Sequence, residues 1–203
     1  MCGIAGIINF KNEEKHSINL KEMANALKHR GPDDEGFMLF SKKPTIFFGD
    51  DSKVKNSSHI NTATRLPFKV GFGFRQLKII DLSNKSHQPI IDQSEKYCII
   101  FNGELYNYKE IRKELKLLNY NFKSDSDTEV VLKAYIEWGE KALEKFNGMF
   151  AFAILDSVKN NVFFARDRMG IKPFYFFRNN HYFVFGRTVK SIINSKIYNP
   201  EVN

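Results

Sequence analysis

The sequence predicts an α+β fold, a single domain of two stacked, largely antiparallel sheets flanked by helices. Three observations carry that expectation. Helical patterns lie early in the chain, whereas the later part is a phenylalanine-rich series of short strands separated by Asx, Gly and Lys turns. Several strands are apolar on both faces, as strands between two packed layers must be. No internal repeat or linker interrupts the 203 residues, a length that supports a sizeable core.

Taken in order, residues 4–10 read as a buried strand whose glycines allow close backbone approach. A helix follows, with Asn19 and Glu22 as a capping box, Leu20, Met23, Ala24 and Leu27 on one face, and Gly31-Pro32 as its stop. Residues 37–40 and 45–48 read as strands. The polar stretch 49–61 reads as a lid, a partner surface or a disordered loop, and its length without periodicity favours disorder. An extended segment spans 68–82, and a buried strand spans 97–101. Asn107 with Glu110, and Ser126 with Glu129, cap two further helices; the second carries Val130, Val131, Ala134, Tyr135 and Trp138 as far as Gly139. Strands at 149–156, 162–165, 174–177 and 182–185 come next, with turn signals at Asn147-Gly148 and Asn179-Asn180, and a last helix covers 188–194.

Composition excludes several classes. Two cysteines, Cys2 and Cys98, rule out a disulfide framework and suit a reducing compartment. The apolar start lacks a basic segment before it, and no run approaches the roughly 20 apolar residues needed to span a bilayer, so a cytoplasmic protein without a membrane partner is expected. The net charge of +8 comes from lysines scattered among asparagines and isoleucines, not from a stripe, which argues against nucleic acid. Five histidines and two cysteines show no metal-ligand spacing, so no metal is expected.

Cys98 lies in an apolar run and reads as a core thiol. Cys2 differs, because removal of Met1 leaves a free α-amine and a thiol on one residue. The thiolate is the reactive form, and an N-terminal amine is an established base for its own side chain. Position alone would not carry this reading; the remainder of the chain does.

Eight runs occur in a fixed order: MCGIAGI at the start, HRGPDDEG (29–36), LKIIDLS (77–83), HQP (87–89), FNGELYNY (101–108), SDTEVVLKAY (126–135), FNGMFAFAILD (146–156) and ARDRMGIKPFY (165–175). Together they resemble the glutaminase domain of asparagine-synthetase-type class II glutamine amidotransferases, over nearly the whole chain. The resemblance implies an N-terminal nucleophile hydrolase fold, a four-layer αββα sandwich over residues 1–203. It implies that Cys2 attacks the side-chain amide carbon of glutamine, giving a γ-glutamyl thioester and ammonia, and that water then releases glutamate. By the same resemblance, the Asn102 side-chain amide and the Gly103 backbone N–H serve as oxyanion donors, each typically contributing about 2.7–4 kcal/mol. A tight turn at a strand end is a compatible reading of that pair. Glu104 and Asp127 match positions holding the amino-acid head, with Asp127 on the α-ammonium; simple helix N-terminal charge is the competing reading of Asp127. Arg30 falls in the run that closes over the pocket in the family, where it reaches a carboxylate or stands solvated at a helix end. Arg166-Asp167-Arg168 reads as structural or interface-forming.

One position departs from the pattern. The arginine that clamps the substrate α-carboxylate in the family is Gln76 here, and the usual His two residues earlier is Phe74. Arg75 is adjacent, but neighbouring strand residues face opposite ways, so it replaces that arginine only through a bulge or register shift. A neutral hydrogen bond in place of a charged one costs about 1–2 kcal/mol, or glutamine binding weaker by roughly five- to thirty-fold, which predicts weak glutaminase activity. The family's C-terminal synthetase domain binds ATP through an SGGxDS loop that these residues lack, so ATP and Mg are expected only in that domain, and no cofactor in this one. Ammonia would then pass to a synthetase domain of the same longer chain or to a separate acceptor enzyme. The other readings are the glutaminase part of another class II amidotransferase, or a degenerate, non-catalytic module that binds a synthetase partner. The FNGELYNY and SDTEVVLKAY runs favour the asparagine-synthetase branch.

Overall fold

The computed structural model describes residues 2–11, 17–64, 66–77 and 86–200, with the backbone alone for Ser17 and Ile18. In chain order the elements are β1 (Gly3–Asn9), α1 (Ser17–Asn25), β2 (Asp34–Phe40), β3 (Pro44–Phe48), β4 (Ser58–His59), β5 (Val70–Gln76), β6 (Ile90–Ile91) and β7 (Tyr97–Leu105). They continue with α2 (Tyr108–Leu117), α3 (Asp127–Trp138), α4 (Ala142–Lys145), β8 (Gly148–Asp156), β9 (Asn161–Arg166), β10 (Tyr175–Arg178), β11 (Tyr182–Gly186) and α5 (Val189–Ile193). Seven strands form one sheet in the order β10-β11-β1-β5-β2-β3-β4, and four form a second in the order β6-β7-β8-β9. All described pairings are antiparallel except β3 with β4. No described helix is long and apolar enough to cross a membrane.

The period of two along each strand sorts side chains into three cores, and therefore four layers. Ala5, Ile7 and Phe37 face outward from the larger sheet and pack with Leu20, Met23, Ala24 and Leu27 of the first helical segment. Ile4, Met38, Phe72 and Phe74 face inward and meet Cys98, Ile100, Ala153 and Leu155 of the smaller sheet. Ile99, Phe101 and Leu105 turn the other way, against Ile111, Leu115, Val130 and Val131 of α2 and α3. The αββα sandwich and the core role of Cys98 are as the sequence predicts.

Four local expectations change. The stretch 49–61 is ordered: Asp51 reaches Arg75 and Lys28, Asp50 reaches Lys21 and His59, and Ser52 Oγ donates to the Glu35 carbonyl. Its polarity answers buried charge instead of solvent. Asn19 lies inside α1, where its Nδ2 donates to Ser195 O at 2.6 Å, so it is not the cap. Asn107 makes no capping bond and instead clips Lys145 O and Asn147 N at 2.9 and 3.0 Å. Ser126 does cap α3, yet Glu129 turns to the N–H groups of Lys123 and Ser124 and leaves the box half made. The segment expected to extend through residue 82 is described only to Leu77, so most of the LKIIDLS run lies outside the described residues.

Candidate active site

Strand alternation carries three of the predicted residues to one end of the slot between the sheets. Ile4, Phe74 and Ile100 face the central core, and two residues further along each parity lie Cys2, Gln76 and Asn102. Gly3 pairs with Arg75, which sets Cys2 beside the end of β5; its Sγ is 3.4 Å from Leu77 N and 3.5 Å from Leu77 O. Next to this contact opens a cleft lined by Gln76, Leu77, Ser86, Gly103, Glu104 and Asp127.

The β7 edge explains why an Asn-Gly pair stands there. Phe150 commits its carbonyl to Asp167 N and its N–H to Asp167 Oδ2, at 2.8 and 3.2 Å, so its partner Gly103 is a non-hydrogen-bonded pair. The Gly103 N–H therefore points away from β8, along the same edge as those of Phe101 and Leu105. Gln88 Oε1 accepts from Phe101 N at 2.7 Å and Asp127 Oδ2 accepts from Leu105 N at 3.0 Å, leaving the Gly103 N–H between them toward the cleft. A Cβ at Gly103 would stand 2.5 Å from Met149 O, so the close approach requires glycine. Beside it, the Asn102 side chain is fully buried, and neither its Oδ1 nor its Nδ2 has a partner among the described residues. Such an orphaned amide in an interior calls for a ligand or a reaction that uses it.

Charge around Cys2 comes from residues that sequence reasoning missed. Arg187, one step past β11 and 3% exposed, donates from Nη1 to the Cys2 carbonyl at 2.6 Å. Burial raises the Cys2 thiol pKa, with Asp127 adding to it, while the Leu77 N–H and the Arg187 charge oppose. Lys172 is equally buried; burial and then Arg187 lower its pKa, against Glu104, Asp167 and Cys2, which hold its charge. It reaches this position because Asp167 accepts from the backbone N–H of Ile171 and Lys172 while Arg166 donates to Gly170 O and Lys172 O, so the Arg166-Asp167 pair is a structural brace. Burial raises the Asp127 pKa, and the N–H groups of Leu105 and Thr128 oppose it. The available signal was parity: in residues 182–187, an arginine at an inward-facing position after Phe183 and Phe185 is out of pattern.

Two expected binding residues are elsewhere. Arg75 turns to the outer face, 1% exposed, with Nη1 2.6 Å from Asp51 Oδ2, Nη2 2.6 Å from Asn25 Oδ1 and 2.8 Å from Glu35 Oε2, the last an ion pair without hydrogen-bond alignment. No bulge or register shift brings it into the cleft. Arg30 is exposed and does not line the cleft; its charge is felt at Arg187.

An N-terminal nucleophile hydrolase sandwich with this slot defines a class II amidotransferase domain. The chain belongs to the glutamine amidotransferase domain family, whose model matches residues 1–50 and 57–203. It is 36% identical, over 100% of its length, to the putative asparagine synthetase [glutamine-hydrolyzing] 2 of Methanocaldococcus jannaschii, covering 37% of that protein. It is 36% and 38% identical to asparagine synthetases [glutamine-hydrolyzing] 3 and 2 of Bacillus subtilis, spanning 95% and 96% of this chain but only 27% and 22% of theirs. The chain thus corresponds to the amidotransferase part of longer relatives. The fold matches glutamine phosphoribosylpyrophosphate amidotransferase from B. subtilis with a TM-score of 0.76 at 19% identity, over 96% of this chain and 44% of that one.

Proposed function

We propose that this chain is a glutaminase domain that supplies ammonia to an asparagine-synthetase-type reaction, in which aspartate is activated with ATP on a synthetase domain of the same longer protein or on a separate acceptor enzyme. Residues 1–203 are one amidotransferase domain in this reading, and ATP and Mg belong to the acceptor part. The observation that carries it is the orphaned Asn102 amide beside a Gly103 N–H that the strand register turns toward the cleft, at the end of the slot that holds Cys2.

With Met1 removed, the Cys2 amine takes the thiol proton and Sγ bonds to the side-chain amide carbon (Cδ) of glutamine. The carbonyl oxygen becomes an oxyanion that receives hydrogen bonds from Asn102 Nδ2 and the Gly103 N–H, donors fixed before the charge forms. Collapse breaks the C–N bond, and the ammonium proton leaves with the nitrogen as ammonia. Water, deprotonated by the same amine, then cleaves the thioester to glutamate and restores the thiol. Asp127 and Glu104 face the α-ammonium, and Arg187 fixes the Cys2 backbone by its carbonyl.

The test is glutamate release from glutamine by protein whose intact mass shows loss of Met1, beside Cys2→Ala. Cys2-dependent release, with a high KM, is expected. Equal release by both proteins, or none from wild type with Met1 absent, would contradict the reading and favour a degenerate module.

A further inference from the structure

Gln76 spends its side-chain donor on the protein and keeps its side-chain acceptor unpaired among the described residues. Gln76 is 6% exposed, and its Nε2 lies 3.3 Å from both Ser86 O and Ser86 Oγ. A carbonyl oxygen only accepts, so Ser86 O fixes which end of the amide faces it; turning the amide over would set two carbonyl oxygens together. Both N–H groups are thereby committed. Gln76 Oε1 is left buried with no partner among the described residues, on a residue that lines the cleft.

The surroundings reinforce that polarity. Among the described residues lining the cleft the charged ones are Glu104 and Asp127, both acidic. Arg75 is held on the outer face, and Arg187 and Lys172 stand beside Cys2 without lining the cleft. A substrate head that donates at two points, an α-ammonium and an amide N–H, meets an acceptor at each. A free α-carboxylate meets the Gln76 carbonyl oxygen with like polarity and leaves it unpaired, the situation in which buried polar sites discriminate most sharply.

We propose that Gln76 sets the substrate class of this cleft: γ-carboxamides of glutamine with a free α-amine whose α-carboxyl is itself in an amide bond, taken at least as well as free glutamine. This rests on the glutaminase reading and uses the same thioester chemistry. The γ C–N bond breaks, ammonia leaves, water hydrolyses the thioester, and the α-amide is retained in the product. From L-glutaminamide the product is therefore isoglutamine.

The experiment compares kcat/KM for L-glutamine and L-glutaminamide with Met1-free protein, separating glutamate from isoglutamine. Binding of both compounds to Cys2→Ala by calorimetry reads the same preference without turnover. The expected result is equal or better use of L-glutaminamide by wild type, and a swing of about tenfold or more toward glutamine in Gln76→Arg, mainly in KM. Preference of wild type for free glutamine by about tenfold or more would overturn the proposal, as would a Gln76→Arg preference identical to wild type. A rise of about tenfold in KM for glutamine but not for L-glutaminamide in Arg30→Ala would overturn it too, by assigning a carboxylate clamp to Arg30. Absence of Cys2-dependent turnover on either compound, with L-glutaminamide still bound as well as glutamine, would sink the glutaminase reading and support the specificity.

Discussion

Arg75 and Gln76 are consecutive residues of β5, and they show two uses of buried polarity. On the outer face, Arg75 closes a network with Glu35, Asp51, Asn25 and the Ala24 carbonyl, so charges taken out of water find charges and dipoles in return. On the inner face, Gln76 Oε1 and both side-chain polar atoms of Asn102 are buried with no partner among the described residues. A buried charge held by counter-charges supports the fold; in the proposed reading, the polar atoms left open at the end of the slot are where a substrate completes the count. In the proposed reading, β5 thus separates stability from chemistry by the direction its side chains take.

Substitutions on the two faces should therefore fail in different ways. The largest effect on stability is expected from Arg75→Met, which leaves the fully buried Glu35 carboxylate without its cation and should cost about 3–5 kcal/mol in urea unfolding. A loss under about 1 kcal/mol would mean that the network is no more than a surface ion pair. A smaller effect, in catalysis and not in stability, is expected from Arg187→Gln. The guanidinium charge favours the Cys2 thiolate and so lowers the thiol pKa, and its removal raises it. The pH–rate profile for glutamate release should move to higher pH, with kcat/KM at pH 7 down by roughly tenfold at most, and Arg187→Lys should restore it. An unmoved profile would make Arg187 a purely structural anchor.

The sandwich was legible because its determinants are local. The period-two pattern placed Arg75 and Gln76 on opposite faces, the Leu20, Met23, Ala24 and Leu27 stripe found its sheet, and Ser126 and Gly139 bounded α3. What escaped depends on partners distant in sequence. Asn19 and Asn107 have the composition of caps, yet Ser195 and Lys145 offer them bonds that no neighbour does. The 49–61 stretch resembles a solvated loop until the buried Arg75 that it covers is known. Arg187 comes to Cys2 only because β11 pairs with β1, a contact no short motif encodes. Asn102 and Gly103 were named by resemblance, but the direction of the Gly103 N–H comes from Phe150 turning its backbone to Asp167.

The most direct test of this account is a paired measurement on Asn102→Ala: kcat for glutamate release and the midpoint of urea unfolding on the same preparation. Removal of an unpartnered buried amide that serves only the transition state should lower kcat by about 10²–10³-fold. Stability should be equal to wild type or above it, because no native hydrogen bond is lost. Unchanged kcat together with a destabilised fold would contradict the account, since Asn102 would then be part of the core and not of the chemistry.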